Sequence, residues 1–431
     1  MANNNLINIF CDFDGTITKN DISVAVLKNF AQWEKQTTRT ILKGNIGSKH
    51  AYSAVAPYIK ASLDQMIDFA KQIAQIEDGF INFFNFVKSK NFNFSILSDG
   101  FEFYINAILN KNNIETKFFA SRLVEDENGL RFEFPNESKF CDLCATCKLK
   151  IIRQEGNGYF KIFIGNGISD RCVVEEADIV FAKSRLQDIC YIKGVSFFPF
   201  NNFNDILYAF RIKPKCFVID FDGTIGWSYE GILDAFTYTF RKLKKNMPAK
   251  SELVKLIGLP LEECFKNTVG EDYKNAVELF RQRYKKIFLK KTYIAPGTKE
   301  TFEELKKLGY KIAILSNKNS FFLKKLIEHF ELDVDLVVGE GDILENGKVI
   351  RKPDTRTIDF ISEKLNVNKK EIVVVGDTEV DLLTARDCNF VALCSLYHPP
   401  DYFKEKGRTL AFITSISDLL KFGRFYKILS Q

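Results

Sequence analysis

Histidine is scarce in this chain of 431 residues, which contains three, at His50, His329 and His398. Because these residues lie far apart in the sequence, they offer little material for a histidine-based metal site or a Ser-His-Asp triad. We therefore expect any chemistry to depend on carboxylates.

Membrane-spanning, secretory and nucleotide-binding signals are also missing. No apolar run approaches the roughly 18 residues that a membrane span needs, and the opening MANNN lacks the basic and apolar regions of a signal peptide. No GxxxxGK[ST] phosphate-binding loop occurs. The sequence predicts a cytoplasmic protein with no membrane partner.

Charge of one sign is not in large excess, since 61 Lys and Arg residues stand against 55 Asp and Glu residues, a net charge of +6. Spread along the whole chain, this balance is a weak indication of nucleic-acid binding and is compatible with small anionic substrates. We expect no nucleic-acid partner, and the sequence leaves the oligomeric state open.

Ten cysteines are present, and without a signal peptide we expect reduced thiols. Cys141, Cys144 and Cys147 form the run CDLCATCK. Two interpretations remain open: a zinc site with a fourth ligand from elsewhere, or a reduced structural turn. No second CxxC or HxxxH motif accompanies the run to favour zinc.

The hexapeptide DFDGTI occurs twice, at 12–17 and at 220–225. The chain is too long for one ordinary core, so the repeat favours two domains. The stretch IKPK interrupts the pattern near Arg211 to Pro214, and we place the boundary there, giving domains 1–212 and 213–431.

Each hexapeptide follows a short apolar run that is typical of a buried strand in a parallel sheet. Comparable runs end at Ser98 and Asn166 in the first half and at Ser316 and Asp377 in the second. Strands that alternate with helical segments predict an α/β fold with two doubly wound, mostly parallel sheets. Such sheets bind ligands outside the carboxyl ends of their strands.

A long helical stretch follows the first strand of each half, at about 20–78 and about 226–295. Within the first, Ser62 and Gln65 have the spacing of a capping box. Both stretches are too long for a simple crossover, so we expect each to form a helical cap inserted over the strand ends.

The acidic residues of the repeated hexapeptide alternate with phenylalanine. In extended backbone, Asp12 and Asp14 therefore project on the same side. One carboxylate can attack a phosphoryl group while the other donates a proton to the leaving group. A cation must neutralise the phosphate, and Asp is a hard oxygen ligand suited to Mg²⁺.

Four motifs in order resemble the haloacid dehalogenase superfamily of phosphatases: DxDGT after a strand, a strand-terminal Ser, a Lys, and GDxxxD. The second half is similar to phosphoglycolate phosphatase, through GLPLEECF and APGT. The first half is similar to phosphoserine phosphatase and, more closely, to 2-hydroxy-3-keto-5-methylthiopentenyl-1-phosphate phosphatase, through IFCDFDGTIT, ILSDGFEFYI and GNGISDRC. The motif set occurs once in each half, so the resemblance extends over almost the whole chain. It implies hydrolysis of small phosphorylated metabolites.

The resemblance also implies roles for individual residues, with Asp12 and Asp220 as nucleophiles that become aspartyl phosphates. The implied catalytic residues are Asp12, Asp14, Lys148, Asp220, Asp222 and Lys352. The implied phosphate-binding residues are Ser98, Asp99, Ser316 and Asn317. The implied Mg²⁺ ligands are Asp12, Asp14, Asn166, Asp170, Asp220, Asp222, Asp377 and Asp381.

One departure from the family pattern is Asn166, which stands where the family has Asp. An amide oxygen can coordinate Mg²⁺ but brings no charge, so the first half should hold the ion more weakly. The leading hypothesis is a phosphomonoesterase with two sites. One alternative makes only the second domain catalytic and the first a degenerate ligand-binding or regulatory module; another is a phosphomutase or phosphotransferase.

Overall fold

The chain forms two compact units, Met1–Arg211 and Ile212–Ser430. The computed structural model describes residues 7–31, 47–127, 129–249, 252–253 and 261–430. Each unit is built on a mostly parallel sheet interleaved with helices, so the predicted fold class is confirmed.

The sheet of the first unit has seven strands in the order β4-β3-β2-β1-β5-β6-β7. In chain order they are β1 Ile7–Cys11, β2 Asn93–Phe101, β3 Lys117–Asp126, β4 Gly129–Glu133, β5 Phe160–Gly165, β6 Ile179–Ala182 and β7 Phe198–Pro199. Every neighbouring pair is parallel except β3 with β4. All residues of β1 are buried, as expected for a central strand of a parallel sheet.

The described helices of the first unit are Ile22–Phe30, Ser48–Val55, Leu63–Ile73, Phe80–Ser89, Glu102–Lys111, Lys148–Glu155, Arg185–Ile192 and Phe203–Arg211. The first three lie in the predicted cap, of which residues 32–46 fall outside the described ranges. An antiparallel bridge between Thr18 and Ile76 brings the two ends of this insertion together. The capping box is confirmed, because the Ser62 hydroxyl accepts from the Gln65 N–H and the Gln65 side chain accepts from the Ser62 N–H.

The main sheet of the second unit has six strands in the order β12-β11-β8-β15-β16-β17, and all neighbours are parallel. These are β8 Cys216–Ile219, β11 Lys311–Asn319, β12 Leu336–Glu340, β15 Ile372–Gly376, β16 Asn389–Leu393 and β17 Ala411–Ile413. Two small antiparallel pairs accompany it: β9 Gly226–Trp227 with β10 Tyr293–Ile294, and β13 Leu344–Glu345 with β14 Lys348–Val349.

The described helices of the second unit are Tyr229–Leu243, Leu261–Val269, Tyr273–Ile287, Thr298–Lys307, Ser320–His329, Arg356–Leu365, Glu379–Thr384, Pro400–Lys404 and Leu419–Leu429. The first three belong to the predicted cap, and β9 and β10 pair its two ends. Part of the quoted motif GLPLEECF, residues 258–260, falls outside the described ranges. Across the described parts of the chain, no helix has the length and apolar character that crossing a membrane requires.

Strands β2 and β11 run past the predicted ends at Ser98 and Ser316, to Phe101 and Asn319. The pairing of β2 with β3 shifts register after Leu97, and the pairing of β11 with β12 shifts register at the corresponding point. An irregularity of this kind leaves local backbone groups out of the ladder. The two serines therefore lie at a break in strand pairing rather than at a strand end.

Candidate active site

The first aspartate of unit 1 lies directly after β1 and meets a buried lysine. Lys148, the first residue of its helix, donates from Nζ to Asp12 Oδ1 and to Asp170 Oδ1, at 2.6 Å each. Thr16 also donates to the other oxygen of Asp12, at 3.0 Å. Three predicted site residues from distant parts of the chain thus come together at the carboxyl ends of neighbouring strands.

The second aspartate of unit 1, Asp14, is held through both carboxylate oxygens. Its Oδ1 accepts from the Ile22 N–H at 2.9 Å, at the start of the inserted helices. Its Oδ2 accepts from the Tyr104 hydroxyl at 2.5 Å and from the Ser98 hydroxyl at 3.3 Å. Asp14 is therefore fixed beside Ser98, next to Asp12.

Unit 2 repeats the arrangement of the first aspartate and the lysine. Lys352 Nζ donates to Asp220 Oδ1 at 2.5 Å and to Asp381 Oδ1 at 2.6 Å. Thr378 donates to the other oxygen of Asp381 through its hydroxyl, at 2.7 Å. Asp220, Lys352 and Asp381 are all buried, so their charges interact strongly.

The second aspartate of unit 2 has a different partner from that of unit 1. Asp222 Oδ1 accepts from the Ser228 hydroxyl, and Asp222 Oδ2 pairs with Lys318 Nζ at 2.9 Å. Lys318 also donates to the Tyr284 hydroxyl at 3.1 Å, on a helix of the predicted cap. An ammonium group thus lies where unit 1 has a phenol.

Three carboxylates converge in unit 2. Among the residues that the structure describes, Asp220, Asp377 and Asp381 form the one group of three or more His, Cys, Asp or Glu side chains whose ligand atoms lie within 4.8 Å of one another. Carboxylate oxygens are the ligands that Mg²⁺ prefers. The donor set of unit 2 therefore fits this ion.

Unit 1 places an amide at the position of Asp377. A β-carbon on Gly15 would lie 2.3 Å from Asn166 Nδ2, and one on Gly223 would lie 2.4 Å from Asp377 Oδ2, so the two side chains occupy matching positions. Asn166 Nδ2 donates to the Asp14 carbonyl oxygen at 3.2 Å. As arranged, unit 1 presents an amide N–H where unit 2 has a carboxylate, so it offers one charged oxygen ligand fewer for Mg²⁺ than unit 2.

Burial changes the acidity of the site carboxyls. It raises the pKa of both Asp12 and Asp220 to about 7, although the neighbouring lysine opposes the change in each unit. Burial and the charge of Asp21 raise the pKa of Asp14 to about 8. Burial together with Asp381 and Asp220 raises the pKa of Asp377 well above its ordinary value.

The pKa of each site lysine is raised as well, against the effect of burial. Burial opposes the charge of Lys148 and Lys352, but the two carboxylates beside each outweigh it and raise the lysine pKa above its usual range. Both lysines are therefore held as cations between two acidic groups.

Asp99 and Asn317 directly follow the two strand serines, and each hydrogen-bonds to the backbone of the segment that carries the site lysine of its unit. Asp99 accepts from the Thr146 N–H at 2.7 Å and from the Ser48 hydroxyl at 2.5 Å. Asn317 Nδ2 donates to the Lys352 carbonyl oxygen at 3.1 Å. Both side chains thus support the site, and their contact with phosphate stays a prediction.

The cysteine run directly precedes Lys148 in the sequence. Cys141, Cys144 and Cys147 are free thiols, and no group of three cysteines among the described residues has its sulfur atoms within 4.8 Å of one another. Burial is the main cause that raises the pKa of Cys144 to about 12, so without a metal this thiol stays protonated at neutral pH.

Sequence reasoning missed Tyr104 and Lys318, which contact the second aspartates. Each lies near a quoted motif, Tyr104 within ILSDGFEFYI and Lys318 two residues after Ser316. Two-residue spacing along a strand puts side chains on one face, so Lys318 could have been inferred. Nothing in the spacing indicates Tyr104.

Family comparisons match the two units separately. A family model described as "Haloacid dehalogenase-like hydrolase" matches residues 217–393, and one described as "Putative Phosphatase" matches residues 7–187. Two bacterial proteins named 2-hydroxy-3-keto-5-methylthiopentenyl-1-phosphate phosphatase are similar to this chain. That of Bacillus cereus (strain ATCC 10987 / NRS 248) is 31% identical over 208 residues, and that of Bacillus thuringiensis subsp. konkukian is 30% identical over 205. Each match covers 46% of this chain and 94% of the relative.

Solved structures are also similar to this chain, and each match covers about half of it. A haloacid dehalogenase-like family hydrolase from Streptococcus pneumoniae is 22% identical, covering 48% of this chain and 98% of its own, with a TM-score of 0.43. A predicted phosphoglycolate phosphatase from Haemophilus somnus is also 22% identical, covering 48% and 97%, with a TM-score of 0.42.

The family matches fall on both units, and in each unit the matched range includes the paired aspartates and the buried lysine. The named relatives align with this chain over nearly their whole length. The chain therefore belongs to the haloacid dehalogenase-like hydrolases and is a phosphatase with two domains of that family in tandem.

Proposed function

We propose that the protein is a Mg²⁺-dependent phosphomonoesterase that acts through an aspartyl-phosphate intermediate, with its fully equipped site in unit 2. The observation that carries the proposal is the convergence of Asp220, Asp377 and Asp381 beside Lys352. Such a group would supply a metal-ligand set, a nucleophile and a fixed cation at one place. These are the parts that phosphoryl transfer requires.

In unit 2, Asp220 and Asp377 would hold Mg²⁺ through their carboxylates, with the Asp222 carbonyl oxygen as a further ligand and Asp381 behind them. When bound, the ion neutralises charge on the transferred phosphoryl group. Glycine is required at position 223, because its φ of +90° favours glycine and a side chain there would collide with Asp377.

The chemistry then uses this chain's own side chains. An Asp220 oxygen attacks phosphorus and the bond to the leaving oxygen breaks, while Asp222 donates a proton to that oxygen. Asp222 next removes a proton from water, which attacks the phosphorus of the acyl phosphate and frees phosphate and Asp220. Lys352 holds the attacking carboxylate, and Ser316 binds a phosphoryl oxygen.

For unit 1 we propose the same class of reaction with Asp12 as nucleophile and Lys148 as its partner. The named relatives act on 2-hydroxy-3-keto-5-methylthiopentenyl-1-phosphate. A phosphate ester of that kind is our candidate substrate for this unit. Activity would require Asn166 to turn its amide oxygen toward the site.

A second candidate function for unit 1 is ligand binding without turnover. The hydrogen bond from Asn166 Nδ2 to the Asp14 carbonyl oxygen favours it, because the bond satisfies that carbonyl without a cation. Ligand binding by unit 1, together with no hydrolysis in a chain carrying Asp220→Asn, would support this alternative.

Trapping of the phosphoenzyme tests the proposal. The protein is mixed with Mg²⁺ and p-nitrophenyl phosphate, quenched in acid and mapped by mass spectrometry. We expect a hydroxylamine-sensitive phosphate on the peptide containing Asp220 in the wild type and in Asp12→Asn, and none there in Asp220→Asn. Turnover with no phosphate on Asp220 in the wild type would contradict the proposed intermediate.

A further inference from the structure

The two units place a hydrogen-bond donor at the same oxygen of the second aspartate but take it from different residues. The Tyr104 hydroxyl donates to Asp14 Oδ2 at 2.5 Å, and Lys318 Nζ lies 2.9 Å from Asp222 Oδ2. Both donors are buried, Tyr104 with no exposed surface and Lys318 with 6% of its side chain exposed. One donor is neutral and the other is charged.

Strand register shows which positions correspond. Cys11 pairs with Ile96 in unit 1, and Ile219 pairs with Ile314 in unit 2. Counting on from these pairs makes Ser98 equivalent to Ser316. By the same count, Gly100 is equivalent to Lys318, and Tyr104 is equivalent to Phe322.

The two units take the hydrogen-bond donor from opposite members of this pair of positions. In unit 1 the first position is Gly100, where a β-carbon would lie 1.7 Å from the Tyr104 hydroxyl oxygen, so no side chain can coexist with that hydroxyl. In unit 2 the first position carries Lys318, and Phe322 at the second has no hydroxyl to offer. Each unit therefore supplies one donor from one of the two positions and leaves the other position without a donor.

The other oxygen of each second aspartate is bonded by the start of the inserted segment. Asp14 Oδ1 accepts from the Ile22 N–H, and Asp222 Oδ1 accepts from the Ser228 hydroxyl. With one oxygen bonded there, a donor on Oδ2 fixes the rotation of the carboxylate. Rotation matters because proton transfer to a leaving oxygen needs a defined geometry.

We propose that Lys318 and Tyr104 are the positioning residues that orient Asp222 and Asp14 for proton transfer to the leaving group. The inference rests on the proposed function of these aspartates. In unit 2 the same lysine also contacts the Tyr284 hydroxyl at 3.1 Å, which joins the orientation of Asp222 to the inserted helix Tyr273–Ile287.

Leaving-group dependence separates positioning from a general structural role. In an Asp12→Asn background, Lys318→Met should lower kcat for phenyl phosphate by roughly 10- to 100-fold, since phenolate needs protonation. The kcat for p-nitrophenyl phosphate, whose leaving group needs little help, should change much less. Lys324→Met is the matched control, because Lys324 pairs with Asp342 at 2.6 Å and lies outside the site; it should leave both rates unchanged.

Rescue tests the exchange itself. Lys318→Gly should show the same selective loss, and adding Phe322→Tyr should restore most of the phenyl phosphate rate by rebuilding the arrangement of unit 1. An equal loss on both esters, or no recovery in the double variant, would overturn the proposal.

Crystal structures of Lys318→Met and Tyr104→Phe supply a readout that does not depend on turnover. We expect the Asp222 and Asp14 carboxylates to rotate or to adopt a second conformer. Unchanged carboxylates in both variants would overturn the positioning role. If Asp220→Asn kept wild-type hydrolysis, the proposed function of unit 2 would fail, and these structures would still decide how Asp222 is held.

Discussion

At the scale of single residues, the two sites differ most at Asn166 and its counterpart Asp377. Asp377 Oδ1 accepts from the Thr224 hydroxyl at 2.9 Å, and its Oδ2 lies 4.0 Å from His398 Nδ1. Asn166 instead donates to the Asp14 carbonyl oxygen. One substitution thus removes a charge and also reverses the hydrogen-bonding character of the position.

Asn166→Asp should tighten divalent cation binding by unit 1 about tenfold, which corresponds to about 1.4 kcal/mol. The new carboxylate adds a hard, charged ligand and ends the donation to Asp14. Calorimetric titration with Mn²⁺ measures the effect in a chain whose second site is weakened by Asp377→Asn. Asn110→Asp adds the same charge outside the site and should change nothing; unchanged affinity in Asn166→Asp would contradict the account.

Motif order predicted which principal acidic and basic residues meet. Asp12, Lys148 and Asp170 come together because each follows or begins an element at the carboxyl edge of one sheet. Tyr104 could not be predicted in the same way. Its hydroxyl contacts Asp14 from the helix after β2. Helical spacing indicates which side chains face the core, but it does not indicate which of them hydrogen-bond to a site residue.

At the scale of elements, both inserted segments leave and re-enter their unit at one place. The Thr18–Ile76 bridge closes the first insertion, and β9 with β10 closes the second. The inserted helices of unit 2 share an aromatic core of Phe236, Phe240, Phe265 and Phe280. Each insertion thus starts beside the second aspartate that it contacts.

Ser62→Ala should destabilise the helix Leu63–Ile73 by about 1 kcal/mol, because it removes the side-chain acceptor that caps the first turn. Hydrogen exchange of the amides in this helix measures the local free energy of opening. Ser89→Ala is a suitable control, since the Ser89 hydroxyl bonds to the Phe86 carbonyl oxygen at a helix C-terminus. Equal protection of the helix Leu63–Ile73 in both variants would count against the capping role.

Apolar runs and helical spacing predicted the central strands and the inserted helices well, because burial on both faces leaves a continuous apolar run. The antiparallel strand β4 and the register shifts beside Ser98 and Ser316 were not predicted. They depend on pairing between strands, and a single strand's sequence carries little of that information.

At the scale of the whole molecule, the buried carboxyls link stability to pH. Burial raises the pKa of Asp220 from 3.8 to about 7 in the folded state, against the opposing effect of Lys352. Between these two values the folded state binds more protons than the unfolded state, so the free energy of unfolding falls as pH rises. Asp12 and Asp14 act in the same direction.

In the absence of divalent cations, the melting temperature should therefore fall as pH rises from about 5 to about 7, with each such group contributing up to about 1.4 kcal/mol per pH unit. Asp220→Asn cannot ionise and should show a shallower dependence. Mg²⁺ should flatten the wild-type curve, because the cation replaces the proton in unit 2. Scanning calorimetry in EDTA and in Mg²⁺ measures both effects, and identical pH dependence in the wild type and Asp220→Asn would contradict the assignment.

The most direct test of the central claim is phosphate release from a panel of small phosphate esters, measured with Mg²⁺ for the wild type, Asp12→Asn, Asp220→Asn and the double variant. Phosphoglycolate, phosphoserine and 2-hydroxy-3-keto-5-methylthiopentenyl-1-phosphate belong in the panel. We expect Asp220→Asn to abolish at least one activity that Asp12→Asn leaves intact, and we expect the double variant to have none. Wild-type rates on every ester in Asp220→Asn would contradict it.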